Sequence, residues 1–400
     1  MIPFDIIEII MKVLADRLDV ESLKACSLVS SPFYAICRKH IFSSIKLRST
    51  ERSSREPAAS RFNRLLDSNP SIAGHVKTLT YVNHCEPGPP ILQRLHSVTS
   101  FVFGFGDECH QQTWGTMPPF LRSSLSSFIQ SNRIVCLVLI DIMNLPITIF
   151  YCFPHLFELH LGNVSIAAAP LPKDFCEPSR PPKLVIFGIS ICRSVNNSLV
   201  EMAKLLDPRN PGVTPILDLR GLEELYVVVE HLDDMDSVKH ILRRSESLRF
   251  LNFSGPAAVL SFEGNLARHL TPRSLTTLKK IRVFPFLESL EDDPYLHLTK
   301  ELEQMAGKNE LETLIIRVSV AADSLCTTDA SRWSQLDSVL SQPGSFPCLR
   351  LVKLKVTVVR EYHEYEDFPA RLEEIGRSHF PWLRANKQQE FRFEILFKDI

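Results

Sequence analysis

A few short stretches of the chain bring histidine, cysteine and acidic residues together, and these residue types could do chemistry. The segment FGFGDECH contains Asp107, Cys109 and His110, and a cysteine hydrolase pairs a thiol nucleophile with a nearby imidazole. Nothing elsewhere in the sequence is a clear candidate to orient that imidazole, so the pattern favours an ordinary loop. The dipeptide His84-Cys85 offers two zinc ligands, but no second pair follows at zinc spacing. The sequence therefore predicts neither nucleophilic catalysis nor a metal centre.

The absence of catalytic motifs, the cysteine spacing and the net charge exclude several classes of function. The sequence contains no GxSxG, HExxH or GxxxxGK[ST] motif. Its ten cysteines are scattered without a CxxC pair, which is typical of a protein in a reducing compartment such as the cytoplasm or nucleus. A net charge of -1 argues against nucleic acid or an anionic membrane as the main partner. We therefore expect a protein that is not an enzyme, needs no cofactor and acts through protein partners.

The first eighteen residues, MIPFDIIEIIMKVLADRL, are rich in isoleucine, leucine, valine and methionine. The run is too short to cross a bilayer, and acidic residues interrupt it. In a helix, Asp5, Glu8, Lys12 and Asp16 fall on one narrow polar stripe. The apolar residues then cover an arc of about 200°, whereas a helix that packs on one body needs little more than about 100°. The pattern predicts a helix with a second apolar face for another body.

Two more short helices are expected in LDVESLKACSLVSSPFYAICRKHIFSSIKL. Asp19 is a plausible N-cap for the first of them, on which Leu23, Cys26 and Val29 share a face. Ser31 followed by Pro32 suits the N-cap and first position of the next. One side of this third helix carries Phe33, Ile36, Cys37 and Ile41. Three helices this short make a small core, which a tight partner would stabilise.

Residues 1–47 resemble the F-box, in the form common in fungal proteins. Ile2-Pro3 stands at the Leu-Pro opening of that family, and the apolar helix follows it to Leu14. In LKACSLVSSPFYAICRKHIF, Val29 and Ser30 match the Val-Cys or Val-Ser of the family, and Phe33 replaces a frequent tryptophan. The resemblance implies that this module docks on the small Skp adaptor of cullin–RING ubiquitin ligases. The residues that it implies at the adaptor interface are Ile2, Pro3, Ile6, Ile7, Ile9, Ile10, Val13, Leu14, Leu23, Val29 and Phe33.

Residues 48–60 are polar and predict a linker. Residues 61–400 contain a recurring phrase of three apolar residues, with two residues between the first and the second and one between the second and the third. Leucine opens seven of its ten copies, and successive copies begin 22 to 38 residues apart. Helical patterns such as MDSVKHILRRSES separate several of them. The copies are Val76/Leu79/Tyr81, Val98/Phe101/Phe103, Ile134/Leu137/Leu139, Leu156/Leu159/Leu161, Leu184/Phe187/Ile189, Leu222/Leu225/Val227, Leu248/Leu251/Phe253, Leu278/Ile281/Val283, Leu311/Leu314/Ile316 and Leu349/Val352/Leu354.

A short strand, a loop and a helix repeated in this way resemble a degenerate leucine-rich-repeat array. The asparagine or cysteine that this family places eight residues after the first leucine is missing from nearly every copy. We expect an α/β fold in which the three-helix module precedes an irregular solenoid, with a parallel sheet of about ten short strands along one face. The last segment predicts a helix containing Leu372, Ile375 and Trp382, then a closing strand from Phe391 to Phe397. Such a segment would cap the terminal repeat.

Two functions of different classes follow from this organisation. In the first, the chain is a non-enzymatic substrate receptor of a Skp–cullin–F-box ubiquitin ligase, whose repeat body holds an unknown client protein. In the alternative, the chain is a stand-alone repeat scaffold without a ubiquitin-ligase role, and its N-terminal helices only cap the solenoid. Adaptor binding by the first fifty residues separates the two.

Overall fold

The computed structural model describes most of the chain in two compact units, Met1–Pro182 and Lys183–Ile400. The described residues are 3–17, 19–48, 57–82, 91–105, 112–167, 181–190, 216–231, 234–257, 260–287, 289, 292–321, 330–360 and 368–399. The described part of the first unit contains a helical bundle, five strands of one parallel sheet and four two-residue strands, and that of the second contains seven strands with intervening helices. Each unit is an α/β arrangement, as predicted.

The bundle consists of α1 (Phe4–Asp16), α2 (Val20–Ser27) and α3 (Ser31–Ile41). The Asp19 carboxylate accepts a hydrogen bond from the Ser22 amide at 3.0 Å, so the predicted N-cap is confirmed. The third helix begins one residue earlier than predicted, with Ser30 as its N-cap. The core of the bundle is formed by Ile7, Met11, Leu23, Ile36 and Cys37, with Leu14, Ala15, Cys26, Phe33 and Ile41 packed against them.

Two short parallel pairs join Gln112–Thr113 to Ile142–Met143 and Leu145–Pro146 to Ile166–Ala167. The other five strands of the first unit form one parallel sheet, and their sequence order is also their spatial order. They are β1 (Ser44–Arg48), β2 (Thr78–Val82), β3 (Ser100–Gly104), β4 (Cys136–Ile140) and β5 (Glu158–Gly162). The helices of this unit outside the bundle are α4 (Ala58–Ser68), α5 (Ile91–Arg94) and α6 (Pro119–Ser131), and 3-10 turns span Pro70–His75, Trp114–Thr116 and Ile147–Cys152.

The seven strands of the second unit are also parallel and consecutive. They are β6 (Ile186–Ser190), β7 (Glu224–Val228), β8 (Phe250–Pro256), β9 (Lys280–Leu287), β10 (Thr313–Ala321), β11 (Leu351–Arg360) and β12 (Glu390–Asp399). The helices are α7 (Asp234–Arg244), α8 (Pro272–Thr277), α9 (Leu298–Met305), α10 (Ala330–Leu340), α11 (Phe368–Ser378) and α12 (Pro381–Ala385). The helical pattern in residues 198–208 lies outside the described residues.

All ten copies of the recurring phrase form strands. The first apolar residue of each copy precedes the strand by two positions, and the second and third lie within it. None of these thirty side chains is more than 5% exposed. Equivalent positions face each other in register; Leu225, for example, lies opposite Leu251, which lies opposite Ile281. The repeat prediction is confirmed, because each copy buries its apolar residues against the equivalent residues of its neighbours.

In two copies of the phrase, a buried asparagine before the strand forms hydrogen bonds to the backbone of a neighbouring repeat. Asn132 accepts a hydrogen bond from the Val98 amide at 2.9 Å and donates one to the Leu95 carbonyl at 2.8 Å. Asn309 donates to the Ser345 carbonyl at 3.0 Å. Each asparagine is buried and lies two residues before its phrase. These side chains satisfy backbone groups of a neighbouring repeat.

The junction between the bundle and the first strand differs from the predicted linker. β1 follows α3 after only Phe42 and Ser43, and the Ser43 carbonyl accepts from the amides of Lys77 and Thr78, both at 2.8 Å. The predicted module boundary at residue 47 therefore falls inside a strand. Of the predicted linker, residues 49–56 lie outside the described residues, and residues 58–60 begin α4.

The C-terminal segment contains two helices where the sequence pattern predicted one. Leu372 and Ile375 are buried on α11, as expected, but Trp382 lies on α12 and is 66% exposed. Pro381 cannot continue a helix, so the chain starts a new one whose direction takes Trp382 out of the core. The Asp337 carboxylate accepts from the amide of Leu383 at 2.7 Å and fixes this second start. The closing strand is confirmed as β12.

Candidate interaction surface

Helix α1 has apolar residues on two faces. Ile7 and Met11 face the bundle and are only 9% and 2% exposed. On the opposite side, Ile6, Ile9, Ile10 and Val13 are exposed by 46, 59, 46 and 45%. These four residues, which we call the outward stripe, span about 100° of the helix. The split that the sequence predicted is therefore present, with half of the apolar arc packed and half uncovered.

A second exposed apolar pair lies in the turn between α2 and α3. Leu28 is 87% exposed and Val29 is 68% exposed. The sequence pattern had placed Val29 on the second helix beside Leu23 and Cys26, but α2 ends at Ser27. The chain thus turns before Val29, and both side chains leave the inward face. This early end of the helix is the reason sequence reasoning missed Leu28.

The predicted adaptor-binding residues divide into two groups in the structure. Six are exposed, namely Pro3, Ile6, Ile9, Ile10, Val13 and Val29. Ile7 and Leu23 are buried in the bundle, and Leu14 and Phe33 are half-buried against its core. Those four pack the helices together, so their side chains are not presented to a partner as the six are. Ile2 lies outside the described residues. Phe4, which sequence reasoning did not include, is 54% exposed at the start of α1.

The helical module carries polar groups of both signs. The polar stripe of α1, with Asp5, Glu8 and Asp16, is exposed. The end of α3 is basic instead, and Arg38 donates to the Ser71 hydroxyl at 2.9 Å. Burial and the charges of Arg38 and Lys39 lower the pKa of His75. An apolar centre with a charged rim is the usual composition of a protein-binding surface.

The residues considered for chemistry form no reactive arrangement in the described part of the chain. His84-Cys85 and the segment 107–110 lie outside it, and the described residues contain no cluster of three potential metal ligands. Burial raises the pKa of the Cys136 thiol to about 11 and also raises that of Cys37, so both are poor nucleophiles near neutral pH. Among the described residues no helix is both long and apolar enough to span a membrane.

A scan against protein-family models finds none that matches the chain, and a search of curated proteins finds no significant relative. The resemblance of residues 1–47 to the F-box therefore rests on the residues themselves, and the repeat character of the body rests on the ten strands and their register.

Proposed function

We propose that this chain is a non-enzymatic substrate receptor of a Skp–cullin–F-box ubiquitin ligase. Its helical module docks on the Skp adaptor, and its parallel-strand body holds a client protein for ubiquitin transfer by other subunits. The observation that supports this most is the outward stripe of α1, a row of four aliphatic side chains that nothing in the bundle covers.

The energetics of the outward stripe favour a partner. Each of its side chains is about half exposed, so complete burial would contribute about 1 kcal/mol or more per residue. Together with Leu28 and Val29, the stripe supplies an apolar surface for a groove on another protein. A helix laid with its apolar face in such a groove is a common recognition mode.

The connection between module and strands suits a receptor. α3 leads into β1 through two residues, and Arg38 is bonded to Ser71 in the 3-10 turn before β2. An adaptor docked on α1 would therefore be held in a defined position relative to the strands of the same unit. A receptor of this kind accelerates a reaction by raising the effective concentration of its client, and needs no reactive residue of its own.

The second candidate function, a stand-alone scaffold capped by its N-terminal helices, is supported by one observation. The Ser43 carbonyl accepts two backbone amides at the edge of the first strand pair, as a terminal cap would require. A cap, however, uses only the inward faces of its helices. It leaves the exposure of Ile6, Ile9, Ile10 and Val13 without a role, so we favour the receptor.

Point substitutions on α1 test the proposal. Deleting residues 1–47 would remove most of β1 as well, so a deletion cannot separate adaptor binding from folding. Ile6→Asp and Ile10→Asp each place a charge on the outward stripe. We expect each to weaken binding of the purified chain to a Skp adaptor at least about a hundred-fold, because a charge would be buried unpaired in the interface. Calorimetric titration with the adaptor measures this.

Lys12→Asp is the matched control, because it changes the charge even more but lies on the polar stripe of the same helix. It should bind as the unmodified chain does. All three substitutions are at exposed positions and should change the free energy of unfolding by no more than about 0.5 kcal/mol. Failure of the unmodified chain to bind the adaptor, or equal binding by both aspartate variants, contradicts the receptor function.

A further inference from the structure

The exposed face of the second unit's sheet is basic although the chain as a whole is not. Side chains alternate along each strand, and those pointing away from the buried phrase residues include six cations on four neighbouring strands. They are Lys280, Arg282, Arg317, Lys353, Lys355 and Arg392. The net charge of the entire chain is -1, so this face concentrates positive charge locally.

Ion pairs neutralise one side of this face only. Lys353 pairs with Glu394 at 2.6 Å, and Arg392 pairs with Glu390 at 2.6 Å. By contrast, Lys280, Arg282 and Arg317 form no ion pair with any residue that the structure describes. Lys355 on β11 likewise has no ion pair among the described residues, so the unneutralised charge lies on β9, on β10 and at this one position of β11.

Two phenylalanine rings hold these three cations together. The Arg282 guanidinium lies 5.4 Å from the centre of the Phe250 ring and 6.0 Å from that of Phe284. Arg317 lies 5.3 Å from the centre of Phe284, and the Lys280 ammonium lies 5.1 Å from that of Phe250. We call these five residues the arginine–phenylalanine cluster. A ring beneath a guanidinium limits its orientations. Because the Nε atoms of both arginines are buried, their terminal nitrogens are the donors left for a ligand.

Polar atoms of the cluster and of its neighbour lack partners. The Nε atoms of Arg282 and Arg317 are buried without a hydrogen-bond partner among the described residues, and so is Oδ1 of Asn252. Asn252 lies opposite Arg282 in the register of β8 and β9. Arg317 lies opposite Lys355 on β11, so two cations face each other directly, an arrangement that destabilises a sheet. Burial and the charge of Arg282 lower the pKa of Lys280. A bound anion would relieve this repulsion.

We propose that the arginine–phenylalanine cluster binds a phosphorylated segment of a partner protein, with the phosphate held by Arg282 and Arg317. Two guanidinium groups beside one ring match the charge and the several acceptor oxygens of a phosphate dianion better than those of a single carboxylate. The neighbouring Phe286 is 48% exposed and offers an apolar contact for the residues flanking the phosphate. A nucleic acid would need a longer row of free cations, whereas Lys353 and Arg392 are already paired.

That this segment belongs to a client awaiting ubiquitination rests on the proposed function. The anion site itself rests only on the second unit, so the two can fail separately. The test uses the full-length chain without adaptor and a fluorescent peptide pool with one fixed phosphoserine and degenerate flanks. We expect the pool to bind, with an unphosphorylated pool of the same design at least about ten-fold weaker by fluorescence anisotropy.

The double variant Arg282→Gln/Arg317→Gln should lose at least about ten-fold in affinity for the phosphorylated pool. Arg268→Gln, an exposed residue between β8 and β9, is the matched control and should bind normally. Because removing stacked arginines can unfold a strand, Arg282→Lys/Arg317→Lys provides a second measure. It keeps both charges but loses the planar fork, and should weaken binding while the melting temperature stays close to that of the unmodified chain.

Four outcomes overturn the proposal. Equal binding of the two pools would show that phosphate is not recognised, and unaltered binding by folded variants would place the site elsewhere. Displacement of the phosphorylated pool by inorganic phosphate at the same concentration, or tighter binding of a single-stranded RNA, would show a simple anion or nucleic-acid site. Adaptor titration of the same variants should be unchanged, so its result reports on the proposed function alone.

Discussion

Helices α1 and α7 are of similar length, yet they differ in how many of their apolar side chains are buried. On α7, Met235, Val238, Ile241 and Leu242 are all buried, and the remaining surface is polar. On α1, Ile7 and Met11 are buried, and the four aliphatic side chains of the outward stripe are exposed. A helix that serves only its own core needs one stripe of apolar residues. The surplus on α1 therefore marks a surface for another molecule.

The cores behind the two helices differ as well. The bundle is held by five buried residues and those packed on them, whereas the strands of the second unit bury three residues in every copy of the phrase. A core this small contributes little stability alone. The bundle therefore depends on its contacts with the strand region of its own unit, and on any partner it binds.

The largest expected effect is on the free energy of unfolding, when the same substitution is made on α7 and on α1. Ile241→Ala on α7 should lower the free energy of unfolding by about 2–5 kcal/mol, because it leaves a cavity at a fully buried position. Ile10→Ala, the same substitution on the outward stripe of α1, should change it by no more than about 0.5 kcal/mol. Urea unfolding of both variants measures the difference. A similar loss in the two would mean that the outward stripe is packed inside the folded chain.

An intermediate effect is expected at Glu301, a fully buried carboxylate on α9. It accepts backbone amides of Gly264, Leu266 and Ala267, the last at 2.6 Å, and so holds the loop between β8 and β9. Glu301→Ala leaves these amides without their acceptor and should cost about 1–3 kcal/mol.

Glu303→Ala, on the exposed side of the same helix, is the control and should be near neutral. Hydrogen exchange should show the loss of protection at residues 264–267 in the Glu301 variant. Unchanged protection there would mean that the loop is held by its apolar residues and not by the carboxylate.

The smallest effect concerns two adjacent residues of β10. Thr313 points away from the buried face and should tolerate alanine within about 0.5 kcal/mol, whereas Leu314→Ala should cost several times more. Glu158 and Glu224 also alternate outward, but they are bonded to His160 and to the Tyr226 hydroxyl, each at 2.7 Å. Thr313 is therefore the cleaner test of strand alternation, measured by urea unfolding. A large loss at Thr313 would contradict the observed alternation.

Regular patterns in the sequence were enough to predict the strands but not the ends of the array. Apolar residues equivalent to Leu225 and Val227 recur in every copy, because neighbouring repeats must bury matching positions. β1 was not predicted, since Ile45 and Leu47 were assigned to the helical module. Trp382 was assigned to the same helix as Leu372 and Ile375, whereas the structure has two helices and Pro381 begins the second one. Within the described part of the chain, β1 and β12 each have a neighbouring strand on one side only. Fewer equivalent positions must therefore match there, and the repeat pattern is weaker.

The periods at which apolar residues recur can be read from the sequence alone, and they predict the fold class and the excess of apolar surface on α1. The sequence does not show that Ile7 is covered while Ile10 is exposed, because two isoleucines on one helix are distinguished only by what packs against them. Packing also places Arg282 beside Phe250 and Arg317 beside Phe284. These residues are about thirty positions apart, and the parallel register of successive strands brings them to one face.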